Sequence, residues 1–260
     1  MDVHPLGRHT LVSPARFDVE HYGAAFTAAL NLQTVAQELP QGAAFISLGQ
    51  NCSTAWFLQA VGKRTCSTPF DWIFTSAQII EHCIRDDFRE FLDLRYVVPF
   101  PGDESRAGHA RYHANMFFHG NPHVRDYHAR LQRSVARFRD FYQSNRPLVF
   151  VATVLPEHAM RPAWHDGFIY DFAAPANVNP LEEYAGLNAL FAERAAPTRL
   201  IILEQRTGQP RPRIEVTGRR AGIISIALGV CGASTGVYYV NLLDETLCRV
   251  LFASMLSSVS

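Results

Sequence analysis

Three features predict an α/β protein, with a central, mostly parallel sheet flanked by helices and an antiparallel portion near the C-terminus. Strand-like and helix-like segments alternate along most of the 260 residues. Leu148-Val149-Phe150-Val151-Ala152-Thr153-Val154 is almost wholly apolar, as a strand covered on both faces must be. Towards the end, runs at 214–216, 223–228 and 237–240 follow one another with only turns between them, which supplies the antiparallel portion.

Taken in order, residues 1 to about 18 lack periodicity and read as an irregular arm. Apolar positions from Val19 to Leu39 suit a helix, stopped by Pro40-Gln41-Gly42. Residues 1–42 are therefore taken as an arm and helix ahead of a single domain at 43–260. Phe45-Ile46-Ser47-Leu48 fits a buried strand, and Gly49-Gln50-Asn51 breaks it. Cys52-Ser53-Thr54 then opens a helix that should end near Gly62. Pro69 holds Thr68 out of helix, so Phe70 to Phe74 is extended or a turn. Helices are expected from Ser76 to Ile84 and from Asp86 to Leu94, then a loop from Pro99 to Gly108 and a strand from Tyr112 to Phe118. A long amphipathic helix should cover 123–143, with Val124, Tyr127, Leu131, Val135, Phe138 and Phe141 on one stripe. After the 148–154 strand, residues 156–180 read as a long loop able to cover a site. A helix (181–194), a strand (199–203), the C-terminal strands and a helix from Asp244 to Leu256 complete the chain.

Composition narrows the function. Formal net charge is +0, which argues against a nucleic-acid partner. No apolar run reaches the ~20 residues that span a bilayer, and the start shows no secretory signal. The five cysteines contain no CxxC, so neither a disulfide framework nor a zinc ribbon fits, and a reducing cytoplasm is the expected location. The glycine-rich stretch 222–236 matches no phosphate-binding motif and is better explained as strand, turn and strand.

The chemistry centres on Cys52. A thiol where a strand turns into a helix faces the positive end of the helix dipole, which favours thiolate. Free N–H groups in the same turn suit a developing oxyanion. The plainer alternative is a small buried residue in a turn. A cysteine nucleophile needs a base. His119, at the end of the 112–118 strand and before Gly120-Asn121-Pro122, is the best placed of eleven histidines, with His113 a rival on the strand itself. Asp71, between Phe70 and Trp72, could orient the imidazole, with Asn121 and Glu204 as alternatives. His119 and His123 are four apart with Asp126 nearby, but Pro122 interrupts them and there is no HExxH, so no metal is expected.

Ser47-Leu48-Gly49-Gln50-Asn51-Cys52, Pro69-Phe70-Asp71-Trp72 and Phe117-Phe118-His119, followed by a helix with Tyr127 and Arg137-Phe138, resemble one bacterial family. It is a domain of unknown function described as papain-like cysteine peptidases, and the resemblance spans roughly residues 45–205. It implies Cys52 as nucleophile and His119 as base. Papain itself differs, since its oxyanion glutamine lies further before the cysteine than Gln50 does. A fainter similarity is to capsule-polysaccharide acetyltransferases, which would use the same thiol to move an acetyl group from coenzyme A to a sugar.

The resulting expectation is a cysteine-dependent hydrolase working through a thioester, with no cofactor and with a small-molecule, peptide or glycan substrate. Gln50, Asn51, Ser53 and Asn121 would bind the oxyanion or substrate. An acyltransferase on the same site and a non-catalytic carbohydrate- or protein-binding module are the alternatives. The oligomeric state is not read from the sequence.

Overall fold

The computed structural model describes residues 19–155, 167–169, 172 and 179–257. The arm expected at 1–18 and most of the loop expected at 156–180 lie outside them.

Five strands form the main sheet: β1 (Ala44–Ser47), β5 (Leu148–Val154), β6 (Thr198–Arg206), β7 (Arg213–Arg220) and β8 (Ile223–Gly229). Their spatial order is β1-β5-β6-β8-β7, with every pairing parallel except the last. The fold class and its antiparallel end are thus as the alternating segments imply. β5 alternates cleanly between two cores: Leu148, Phe150, Ala152 and Val154 face one, Val149 and Val151 the other. Burial on both faces is why this strand is so uniformly apolar.

On the first face lie α4 (Ala77–Arg85), α5 (Arg125–Gln143), and two short helices, α6 (Pro180–Glu183) and α7 (Ala185–Ala192). A cluster of rings there, Phe70, Phe88, Phe91, Phe117 and Phe138, joins the helices to a separate antiparallel sheet. That sheet has the order β2 (Val97–Phe100), β3 (Asp103–His109), β4 (His113–Phe117). On the second face, α1 (Val19–Asn31), α2 (Gln33–Ala36), α3 (Ser53–Ala60) and α8 (Leu242–Met255) pack around Phe57, Leu247, Leu251 and Phe252.

Several local expectations are corrected. Residues 99–108 are not a loop but much of the β2–β3 hairpin, turning at Gly102 with φ +77°. Pro99 is compatible with this because β2 is an edge strand. Residues 86–93 form no helix, because Asp87 and Phe88 take left-handed φ values of 53° and 56°, and only Leu94 enters a short 3-10 helix, Leu94–Tyr96. The reversal turns Phe88 and Phe91 into the ring cluster, an apolar gain that outweighs local helix propensity. Residues 237–240 contribute one isolated bridge, Ser234 to Tyr239, rather than a strand. The helices expected at 19–39 and 181–194 are each broken into two.

Candidate active site

The turn between β1 and α3 is held to the carboxyl end of β5. The Leu48 N–H donates to the Val151 carbonyl at 2.7 Å and the Gln50 N–H to that of Thr153 at 3.4 Å. Thr54 Oγ1 donates to Thr153 Oγ1 and accepts from the Thr153 N–H, each at 2.9 Å, which pins the first turn of α3 to β5. A Cβ on Gly49 would collide with the Thr54 side chain and the Asn51 carbonyl, so this close turn requires glycine. From the other side Thr75 closes it, donating through Oγ1 to the Gly49 carbonyl (2.7 Å) and through N–H to that of Gln50 (3.3 Å).

Cys52 occupies the N-cap position of α3, 6% exposed, and its carbonyl accepts from the Trp56 N–H at 3.0 Å. The thiol therefore belongs to the positive end of an eight-residue helix, at the carboxyl edge of a parallel sheet, where α/β proteins commonly bind ligands. Asn51 is 1% exposed. Its Oδ1 accepts from the Ser53 N–H (3.0 Å) and Ser53 Oγ (2.7 Å), while its Nδ2 has no hydrogen-bond partner among the described residues. The Ser53 N–H, expected as an oxyanion donor, is thus engaged by Asn51. Gln50 is equally buried, and its Oε1 accepts from the Leu155 N–H at 2.9 Å, tying the turn to the end of β5.

His119 and Asn121 sit together in the turn after β4. His119 is exposed, with Phe118 edge-on to its ring at 5.7 Å. Partial desolvation, and then the Arg106 guanidinium, hold its imidazole below the ordinary value and so favour the neutral base. Arg106 lies 4.1 Å above the Phe118 ring. Asn121 uses both ends of its side chain, donating to the Glu104 carbonyl of β3 (2.8 Å) and accepting from the His123 N–H within the turn (2.9 Å).

Two links tie this turn to that of Cys52. Phe74, whose N–H donates to the Met116 carbonyl at 3.1 Å, packs on Phe118 and precedes Thr75. Gly120 lies so close against the Tyr127 ring that a Cβ would overlap it, and Tyr127 is also within electrostatic range of Cys52. Burial above all pushes the Tyr127 phenol up to about 12, against the smaller opposing effect of Arg130. In the sequence Tyr127 stands in the apolar stripe and among the residues of the family resemblance, with nothing to mark its contact with Gly120 beyond a hydroxyl-bearing ring among aliphatic and phenyl side chains.

Asp71 lies elsewhere in the hydrogen-bond network. Its Oδ2 accepts from Arg64 Nε (2.9 Å), Arg64 Nη2 (2.7 Å) and the Thr68 N–H (2.9 Å), and its Oδ1 from Thr68 Oγ1 (2.8 Å). No hydrogen bond joins it to His119 among the described residues. Burial raises its carboxyl above the usual value, and Arg64 partly offsets this. Glu204 is bound by Ser225 (2.8 Å) and Thr217 (2.9 Å) beside Arg206. His113, fully buried in β4, accepts from the Asn115 N–H at 2.9 Å and meets Phe168 edge-on at 4.6 Å.

No helix among the described residues is long and apolar enough to cross a membrane. No curated protein and no solved structure matches this chain. Residues 43–163, a stretch that carries β1, Cys52, Asp71, His119, Tyr127 and all of β5, match the model of a family described as "Putative papain-like cysteine peptidase".

Proposed function

We propose that the protein is a cysteine-dependent hydrolase acting through a Cys52 thioester. His119 takes the thiol proton, and the Cys52 sulfur attacks an acyl carbon of the substrate. The leaving group departs with the proton returned by His119. Water, deprotonated by the same imidazole, then releases the acid and regenerates the thiol. The observation that carries this reading is the Asn51 amide: a donor buried beside a cysteine at a helix N-terminus, with nothing to bond in the described structure. An acyl oxyanion is an acceptor that would satisfy it. His119 is supported by its neutral form and by the Phe74 and Tyr127 links, and Asp71 acts only by shaping the Arg64–Thr68 loop.

The rate of Cys52 alkylation against pH, resolved by peptide mapping in wild type and His119→Ala, tests the pair. Burial raises the Cys83 and Cys248 thiols well above the ordinary value and raises Cys231 too, so these should react slowly at neutral pH. The expected result is a Cys52 thiol below the free value of ~8.5 that rises when His119 is lost. An unshifted thiol in both proteins would overturn the proposal and leave a binding module. Coenzyme A protection against unfolding would instead turn the same thiol towards acyl transfer.

A further inference from the structure

We propose that His82, Asp86 and Glu90 form a binding site for one divalent transition-metal cation of the zinc class. The three side chains stand where α4 ends and the chain reverses through Asp87 and Phe88, and one ligand atom from each lies within 4.8 Å of the others. This set is separate from the His119–His123 pair and from Cys52.

The cluster consists of acceptors left over after every other bond is made. Asp86 Oδ2 accepts from the Glu90 N–H at 3.0 Å, and Oδ1 is shielded from solvent with no hydrogen-bond partner. Glu90 Oε1 accepts from Arg111 Nη1 at 2.8 Å, and Oε2 is likewise shielded and unpartnered. His82 Nε2 faces Glu90 Oε2 at 3.9 Å, too long for a hydrogen bond. Two shielded carboxylate oxygens without donors are unfavourable even on partly exposed side chains, and one Arg111 cannot balance both charges.

His82 is prepared on its far side. Its Nδ1 is 2.9 Å from the hydroxyl of the fully buried Tyr112, and its ring is held edge-on by Tyr112 and Phe172. With Nδ1–H donating to the phenol oxygen, Nε2 presents its lone pair to the two carboxylates, as metal-bound imidazoles do when a second partner sets the tautomer. One imidazole nitrogen with two carboxylate oxygens suits zinc or a similar transition cation, water completing the shell, better than calcium or magnesium. The ion would clamp the end of α4 to the turn that carries Phe88 and Phe91 into the core.

The test is calorimetric titration of Zn²⁺ into the full chain carrying Cys52→Ala, which removes the active-site thiol as a competing ligand. The expected result is uptake of one equivalent, weakened at least about tenfold in Glu90→Gln and in Asp86→Asn. Both are near-isosteric and keep acceptors for Arg111 and the Glu90 N–H. In wild type, where no variant need fold, the ¹⁵N resonance of His82 Nε2 should move on adding Zn²⁺ while Nδ1 keeps its proton. No uptake by Cys52→Ala, unchanged uptake in both carboxylate variants, or a thiolate-to-metal absorption band with Co²⁺ would each overturn the site.

Discussion

Asn51 and Gln50 are adjacent, both buried and both amides, yet their surroundings assign them different work. Gln50 Oε1 receives the Leu155 N–H. Gln50→Ala would leave that group unpaired in the interior and should cost about 1–3 kcal/mol in urea unfolding. Asn51→Asp keeps the acceptor that holds Ser53 and removes the unpartnered donor. It should slow substrate turnover by ~10²–10³ and, because it buries a carboxylate oxygen that no donor meets, it should also lower the unfolding midpoint. If Gln50→Ala slows turnover with no loss of stability, the oxyanion donor is Gln50 instead. Both residues were legible as turn residues beside a cysteine. Which of the two kept an unpartnered N–H donor was not, because that depends on the groups the fold brings against each amide.

At the scale of elements, β3 carries a histidine whose role is structural. The His109 ring is fully buried, stacked on Tyr112 at 4.1 Å and near Tyr96 at 5.6 Å. Its Nε2 lies 3.0 Å from the Glu90 carbonyl and its Nδ1 accepts from the Arg111 N–H at 3.4 Å, so the neutral ring is satisfied on both sides. Burial chiefly drives its pKa down from 6.5 to about 4. Between those values the unfolded chain binds a proton that the folded one refuses, so stability falls as pH falls through that window. The shift amounts to about 3 kcal/mol, lost in full below pH 4. Urea unfolding of wild type and His109→Gln from pH 7 to pH 4 should show the variant losing less by roughly this amount. Parallel pH profiles would remove His109 from the account. Residues 99–108 hid the hairpin that holds this histidine, because Pro99, Pro101 and Gly102 are loop formers unless an edge strand and a tight turn accept them.

In the whole molecule, the sheet divides two cores, and each depends on segments distant in sequence. α1 and α2 bury Ala25, Ala29, Leu32 and Val35 in the same cluster as Leu247, Leu251 and Phe252 of α8, and Tyr22 Oη donates to Asp244 Oδ1 at 2.8 Å. A chain beginning at residue 43 should therefore lose on the order of 5 kcal/mol and bind an apolar dye, as followed by urea unfolding and dye fluorescence. Unchanged stability would make 1–42 a true appendage. The sequence by itself determined the α/β class, the doubly buried β5 and the strand–turn–Cys52–helix unit, because period, capping and turn chemistry are local. Only the tertiary structure decided that Asp71 is taken by Arg64 and Thr68, that Tyr127 packs against Gly120, and that Asn51, Asp86 and Glu90 keep polar atoms to spare. Whether a buried polar group is satisfied depends on long-range partners, and no local pattern records them.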